Sequence, residues 1–159
     1  MSQRAQRPAG RQAQATLFKI VNVPMRAILG LPFPTPLGKR LMLVFHTGRK
    51  TGKHYRQPVS YVRDGDTLLT PGGGRWTRNL RTGEAVRVRL RGKDQMARPD
   101  LVRDPDDVER MLGFMTGANP GLRRFVRIPT ADDGRLDRTS LTAALDNGFR
   151  IVRWHLAPP

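Results

Sequence analysis

The sequence predicts an α+β fold, one small and mostly antiparallel β-barrel with helices at its periphery. Three observations predict it. Short β-type runs dominate residues 41–102, and tight-turn signals separate them. One run, Ala85–Arg91, alternates strictly: Val86, Val88 and Leu90 face one way, and Arg87, Arg89 and Arg91 the other. That is a half-buried strand with a basic solvent face. Helical periodicity is confined to the flanks of this region, so strands and helices do not alternate as a parallel βαβ fold requires.

The elements follow in order. Residues 1–16 read as a flexible basic arm, carrying Arg4, Arg7 and Arg11 without hydrophobic period or an apolar segment, and so not as a secretory signal. Residues 17–159 read as a single barrel domain. It opens with Leu17–Leu29, whose polar residues Lys19, Asn22 and Arg26 form one narrow stripe. This predicts a core-covering helix, with Pro24 kinking it or starting its second half. A basic arm before an apolar helix also has the form of a peripheral contact with an anionic membrane surface. Gly30–Gly38, with three prolines, is a linker into the main fold.

Leu41–Thr47, Tyr55–Val62 and Thr67–Thr70 are the first three strand candidates, with Asp64-Gly65 as the tight turn between the last two. Ala85–Arg91 and Gln95–Val102 form the next pair. Asp104 then caps a helix with Pro105 in its first turn, and Val108, Met111, Leu112 and Met115 make its core stripe. A second helix, Asp137–Asp146, buries Leu141, Ala144 and Leu145 and stops at Asn147-Gly148. Phe149–Leu156 closes the chain as a strand.

The net charge is +16, from 29 basic and 13 acidic residues. Such a field attracts anions: nucleic acid, anionic lipid, or a phosphorylated and carboxylated small molecule. Two tryptophans and two tyrosines are few for base stacking, which argues against nucleic acid even with Arg87, Arg89 and Arg91 on one strand face. There is no cysteine, so disulfide and thiolate chemistry are excluded, and a cytoplasmic setting fits. His46, His54 and His155 lack cysteine partners and H-E-x-x-H spacing, so no metal site is expected. Ser60 is not in a nucleophile elbow, and the only glutamates, Glu84 and Glu109, suggest no glycosidase pair.

Gly48-Arg49-Lys50-Thr51-Gly52-Lys53 imitates a phosphate-binding P-loop, but three residues separate its glycines where four are needed. A strand follows it instead of a helix. As a hairpin loop it gathers Arg49, Lys50, Lys53 and Arg56 around one turn with no nearby acid, which makes a concave anion site. Arginine adds planar donors suited to phosphate or carboxylate. Thr70-Pro71-Gly72-Gly73-Gly74 follows a strand and lets backbone approach a flat ring; Arg75, Trp76, Arg78, Asn79 and Arg81 then add an aromatic face and donors. Together they suggest one site that grips an anionic tail and seats a ring.

These residues resemble a known family. TGRKTG at 47–52, within VFHTGRKTGKHYRQPVSYV, followed by YVRDGD, a glycine loop and W-x-x-N-L at 76–80, is similar to the deazaflavin-dependent nitroreductases. The resemblance covers about Leu41 to Leu90 and implies a split β-barrel of the flavin-mononucleotide-binding kind. It implies coenzyme F-420, a deazaflavin, as cofactor; flavin mononucleotide is the weaker fit to so basic a loop. By the resemblance, Arg49, Lys50, Thr51 and Gly52 meet the cofactor tail and Arg56 its phosphate. Pro58 and Val59 line the ring, Gly72, Gly73 and Gly74 lie beneath it, and Trp76, Asn79 and Leu80 complete the pocket. The implied reaction is hydride transfer from the reduced coenzyme to a small-molecule acceptor, a quinone, enone or nitro compound. The alternatives are a non-catalytic binding module, either a carrier of the cofactor or a basic nucleic-acid binder, and a flavin-mononucleotide-dependent relative. No residue stands out as a proton donor, and monomer and homodimer both fit. The tyrosines that line the substrate pocket in the best-known nitroreductases are absent; Tyr55 and Tyr61 both lie in the cofactor-side hairpin.

Overall fold

A computed structural model describes residues 24–124 and 126–158. The predicted arm at 1–16, and the first half of the predicted helix with its membrane-contact reading, lie outside the described residues. Residues 24–29 are helical (α1). Then come strands β1 (Leu41–Thr47), β2 (His54–Ser60), β3 (Val62–Asp64), β4 (Thr67–Gly72), β5 (Val86–Leu90) and β6 (Lys93–Val102). Helices α2 (Pro105–Ala118) and α3 (Arg138–Asp146) precede the last strand, β7 (Arg150–Leu156).

The strands form one sheet in the order β2-β1-β5-β6-β7-β4-β3, and every pairing is antiparallel. Its two edges, β2 and β3, are consecutive in the chain. The sequence suggests one strand across Tyr55–Val62, but the run breaks at Tyr61. There the backbone N–H donates to the Arg40 carbonyl (2.9 Å) and the phenol donates to the Gly38 carbonyl (2.7 Å). Pinned in this way to the entrance of β1, the chain leaves one edge of the sheet and begins the other. The sheet therefore curls, β2 comes against β4, and the α+β barrel architecture results.

The period of two sorts side chains into two cores. Met42, Val44, Val59, Leu68, Val88, Val152 and Trp154 fill the inside of the curl. Val62, Leu69 and Ile151 face out and pack under Val108, Met111, Leu112 and Met115 of α2 and Leu141 and Leu145 of α3. Strand β4 is thus buried on both faces, with Leu68 in the inner core and Leu69 under the helices. Trp154, fully buried, donates its indole N–H to the Thr70 hydroxyl at 3.1 Å and so leaves no orphan donor in the inner core.

Both helices start as the sequence predicts. The Asp104 carboxylate accepts from the N–H groups of Asp106 and Asp107, and that of Asp137 from Ser140. Ala144 is only half-buried. The β3–β4 turn falls one residue later than predicted, at Gly65-Asp66, because Asp64 pairs with Thr67; Gly65 takes φ +57°, at no steric cost for glycine. β4 runs on to Gly72, which pairs with Arg150, so the first of the three glycines belongs to the sheet.

Candidate functional site

Strands β1 and β2 are joined by a closed loop in which the Gly48 N–H donates to the Lys53 carbonyl (2.8 Å) and the Gly52 N–H to the Gly48 carbonyl (2.9 Å). A Cβ at Gly48 would lie 2.7 Å from the Thr51 hydroxyl and 3.1 Å from the Tyr55 ring, so the close packing of the loop requires glycine there. The loop is tied to a segment thirty residues away. The Arg49 N–H donates to Asn79 Oδ1 (3.2 Å), and the Arg49 guanidinium donates to the Arg78 carbonyl (3.0 Å). Asn79 Nδ2 in turn lies 3.1 Å from Nδ1 of His46 in β1.

These ties shape an open cleft of about 1030 Å³, lined by both segments. It brings together eight residues marked by the sequence: Arg49, Lys50, Thr51, Arg56, Arg75, Trp76, Arg78 and Asn79. The other marked residues lie elsewhere. Gly52 is an exposed turn residue at φ +67°, and Pro58 is half-buried in β2. Val59 and Leu80 belong to the inner core. Gly72 is buried in β4, while Gly73 and Gly74 are exposed and turn the chain toward Arg75 and Trp76, which do line the cleft.

The cleft also contains residues that the sequence did not mark as a site: Arg26, His46, Tyr55 and Gln57. The last three are cross-strand neighbours on one face of the β1–β2 hairpin, His46 opposite Tyr55 and Val44 opposite Gln57. Counting outward by twos from the loop would have found them. Arg26 carried no such signal, because its place depends on how α1 docks.

Six cations line the cleft, Arg26, Arg49, Lys50, Arg56, Arg75 and Arg78. Among the described residues none of them makes an ion pair. The strand face of β5 differs: Arg87 and Arg89 both pair with Asp94, at 3.2 and 2.5 Å, and hold its carboxyl below the usual range. Charge is therefore unspent at the cleft and partly spent on β5. His46 is 8 % exposed, its imidazole stacks on Tyr55 at 5.3 Å, and burial lowers its pKa. The cleft thus joins a cationic rim to a partly aromatic wall of Tyr55 and Trp76.

Among known proteins, the model of one family, described as F420H(2)-dependent quinone reductase, matches residues 25–127. No curated protein matches. Solved structures with a similar fold include a proposed pyridoxamine 5′-phosphate oxidase from Listeria innocua, at 11 % identity and TM-score 0.47, covering 75 % of this chain and 85 % of that one. A chain described as a domain-swapped dimer shares 16 % identity at TM-score 0.47, covering 86 % of this chain and 98 % of its own. A proposed 5-nitroimidazole antibiotic resistance protein from Bacteroides thetaiotaomicron shares 12 % identity at TM-score 0.43, covering 77 % and 76 %. At these scores the structural likenesses carry no weight beside the family match.

Proposed function

The chain belongs to the F420H(2)-dependent quinone reductase family, and from that premise we propose that it reduces a quinone-class acceptor in the Arg49–Asn79 cleft, with coenzyme F-420 as its redox partner. Enones and nitro compounds are further acceptors that the same hydride chemistry reaches. The observation that carries this reading is the set of six cations, none of them ion-paired among the described residues, around one partly aromatic cleft. A cofactor with a phosphate, several carboxylates and a flat ring has the chemistry that such a cleft selects.

The residues present fit that group. Arg49, Lys50 and Arg56 would hold the anionic tail, and Trp76 and Tyr55 would flank the ring. When bound, the deazaflavin supplies a two-electron hydride donor at its ring carbon. The chain supplies orientation and electrostatics. Arg49, anchored through its own backbone and side chain to Asn79 and Arg78, presents its charge from a fixed position and loses less freedom when an anion arrives. The surrounding cations favour the negative charge that develops on an acceptor oxygen during reduction.

Titrating the purified chain with oxidised coenzyme F-420 and, separately, with flavin mononucleotide tests this by fluorescence. Tight binding of the deazaflavin and weaker binding of flavin mononucleotide is the expected result. Equal or better affinity for flavin mononucleotide would remove the assignment. The nucleic-acid reading is weaker, because two of the three arginines that favour it, Arg87 and Arg89, are engaged by Asp94.

A further inference from the structure

His46 stands at the wall of the cleft with an assignable proton. The Arg49 N–H can only donate, so the Asn79 atom that faces it is the carbonyl oxygen. The Asn79 amide nitrogen then faces His46 Nδ1 and can only donate to it. Nδ1 is therefore an acceptor, and the neutral ring carries its proton on Nε2. Among the described residues that atom is buried and has no partner, in a residue more than nine-tenths buried that lines the cleft. A buried donor left unpaired costs about 1–3 kcal/mol, and native proteins retain few such atoms without a use for them.

Charging the ring is blocked by the same geometry. An imidazolium sets Nδ1–H against the Asn79 amide donor, and flipping that amide sets it against the Arg49 N–H. We propose that His46 is a fixed-tautomer hydrogen-bond donor, whose Nε2–H binds a ring carbonyl oxygen of the redox pair in the cleft. The inference rests on the reading of the cleft as the redox site and adds a specific donor to it. His46 keeps its proton. It stabilises partial negative charge on the oxygen, as a preorganised buried donor does. Tyr55, stacked on the imidazole at 5.3 Å, covers the face of the ring and helps hold its plane. Quinones and the deazaflavin both carry such oxygens, so the test separates them.

The full chain labelled with ¹⁵N-histidine gives the tautomer by long-range ¹H–¹⁵N correlation at neutral pH, before any ligand is added. Nε2–H with Nδ1 unprotonated is expected; Nδ1–H or a charged ring overturns the proposal. Oxidised coenzyme F-420 and a substituted benzoquinone are then added in separate samples. The arm that moves the Nε2–H signal identifies the oxygen. His46→Phe, which retains ring stacking, should weaken that same ligand by roughly tenfold, the effect of one lost hydrogen bond. Bound ligands with an unmoved His46 signal overturn the proposal alone. No coenzyme binding by the wild-type chain overturns the reading of the cleft, and the proposal with it.

Discussion

The three consecutive glycines at 72–74 should respond differently to the same substitution, because each has a different surrounding. At Gly72 an added Cβ would lie 2.7 Å from Thr77 Cγ2, 3.2 Å from Val152 Cγ2 and 3.3 Å from the Arg150 carbonyl. Thr77 is buried and Val152 is fully buried, so neither moves freely. Overpacking of this kind costs about 1–3 kcal/mol, and Gly72→Ala should lose that much stability. For a domain of this size that is a fall in Tm of roughly 2–12 °C. At Gly73 the new Cβ would sit 3.7 Å from the Phe149 ring, an ordinary contact, and φ is not in the left-handed region. Gly73→Ala should therefore be neutral or gain about 0.4–1 kcal/mol through the unfolded chain. Gly74 has open space but φ +96°, so Gly74→Ala should cost about 1–3 kcal/mol of backbone strain. Thermal melts of the three variants, followed by circular dichroism, read the series. Equal losses at all three positions, or a loss at Gly73 and none at Gly72, would refute the packing argument. Coenzyme affinity of Gly73→Val is a separate readout. If a ring rests on this stretch, binding falls in a variant that still melts near the wild-type temperature. Unchanged binding reduces the glycines to a turn.

Arg49→Ala with Lys50→Ala should weaken coenzyme binding by about 2–4 kcal/mol at low salt, from charge-assisted contacts less screening; isothermal titration should show the loss shrinking as salt rises. Thr70→Val removes the acceptor of the buried Trp154 N–H and should cost about 1–3 kcal/mol in chemical denaturation, with the m-value unchanged. Burial lowers the pKa of His46 from its ordinary 6.5, so between the folded value and 6.5 the unfolded chain binds more protons. Stability should then be full above pH 6.5 and decline as pH falls through the folded value, and His46→Phe should flatten that limb in denaturation measured across the range. Asp94, held low mainly by its hydrogen bond from Arg89, contributes stability that is lost only on acidification below 3.8, so the two windows separate.

Much of this fold could be read from local pattern. β1 has the predicted bounds, the alternation in 85–91 sorts β5 correctly, and the α2 stripe of Val108, Met111, Leu112 and Met115 is buried as read. These features are local, set by a period of two or of 3.6 and by a capping carboxylate. The break at Tyr61 was not legible, because it depends on carbonyls of Gly38 and Arg40 that reach it only once the sheet has curled. The cleft divides in the same way. Its loop, Arg49 to Thr51, and its Trp76–Asn79 segment were visible as motifs. His46 was read as an ordinary strand residue, since its contact with Asn79 spans 33 positions. Gly72 had the opposite fate: read as part of a ring-seating loop, it is a strand residue that packs against Thr77 and Val152.

If the proposed function holds, this cleft passes hydride from the deazaflavin coenzyme to a quinone. Mixing reduced coenzyme F-420 with a simple quinone, with and without the protein, measures it by the return of the oxidised coenzyme's fluorescence. A protein-dependent rate is expected, one that saturates in coenzyme and falls sharply in the Arg49→Ala, Lys50→Ala double variant at low salt. A wild-type rate no faster than the uncatalysed mixture, over a range of quinones and with coenzyme binding confirmed, would contradict it.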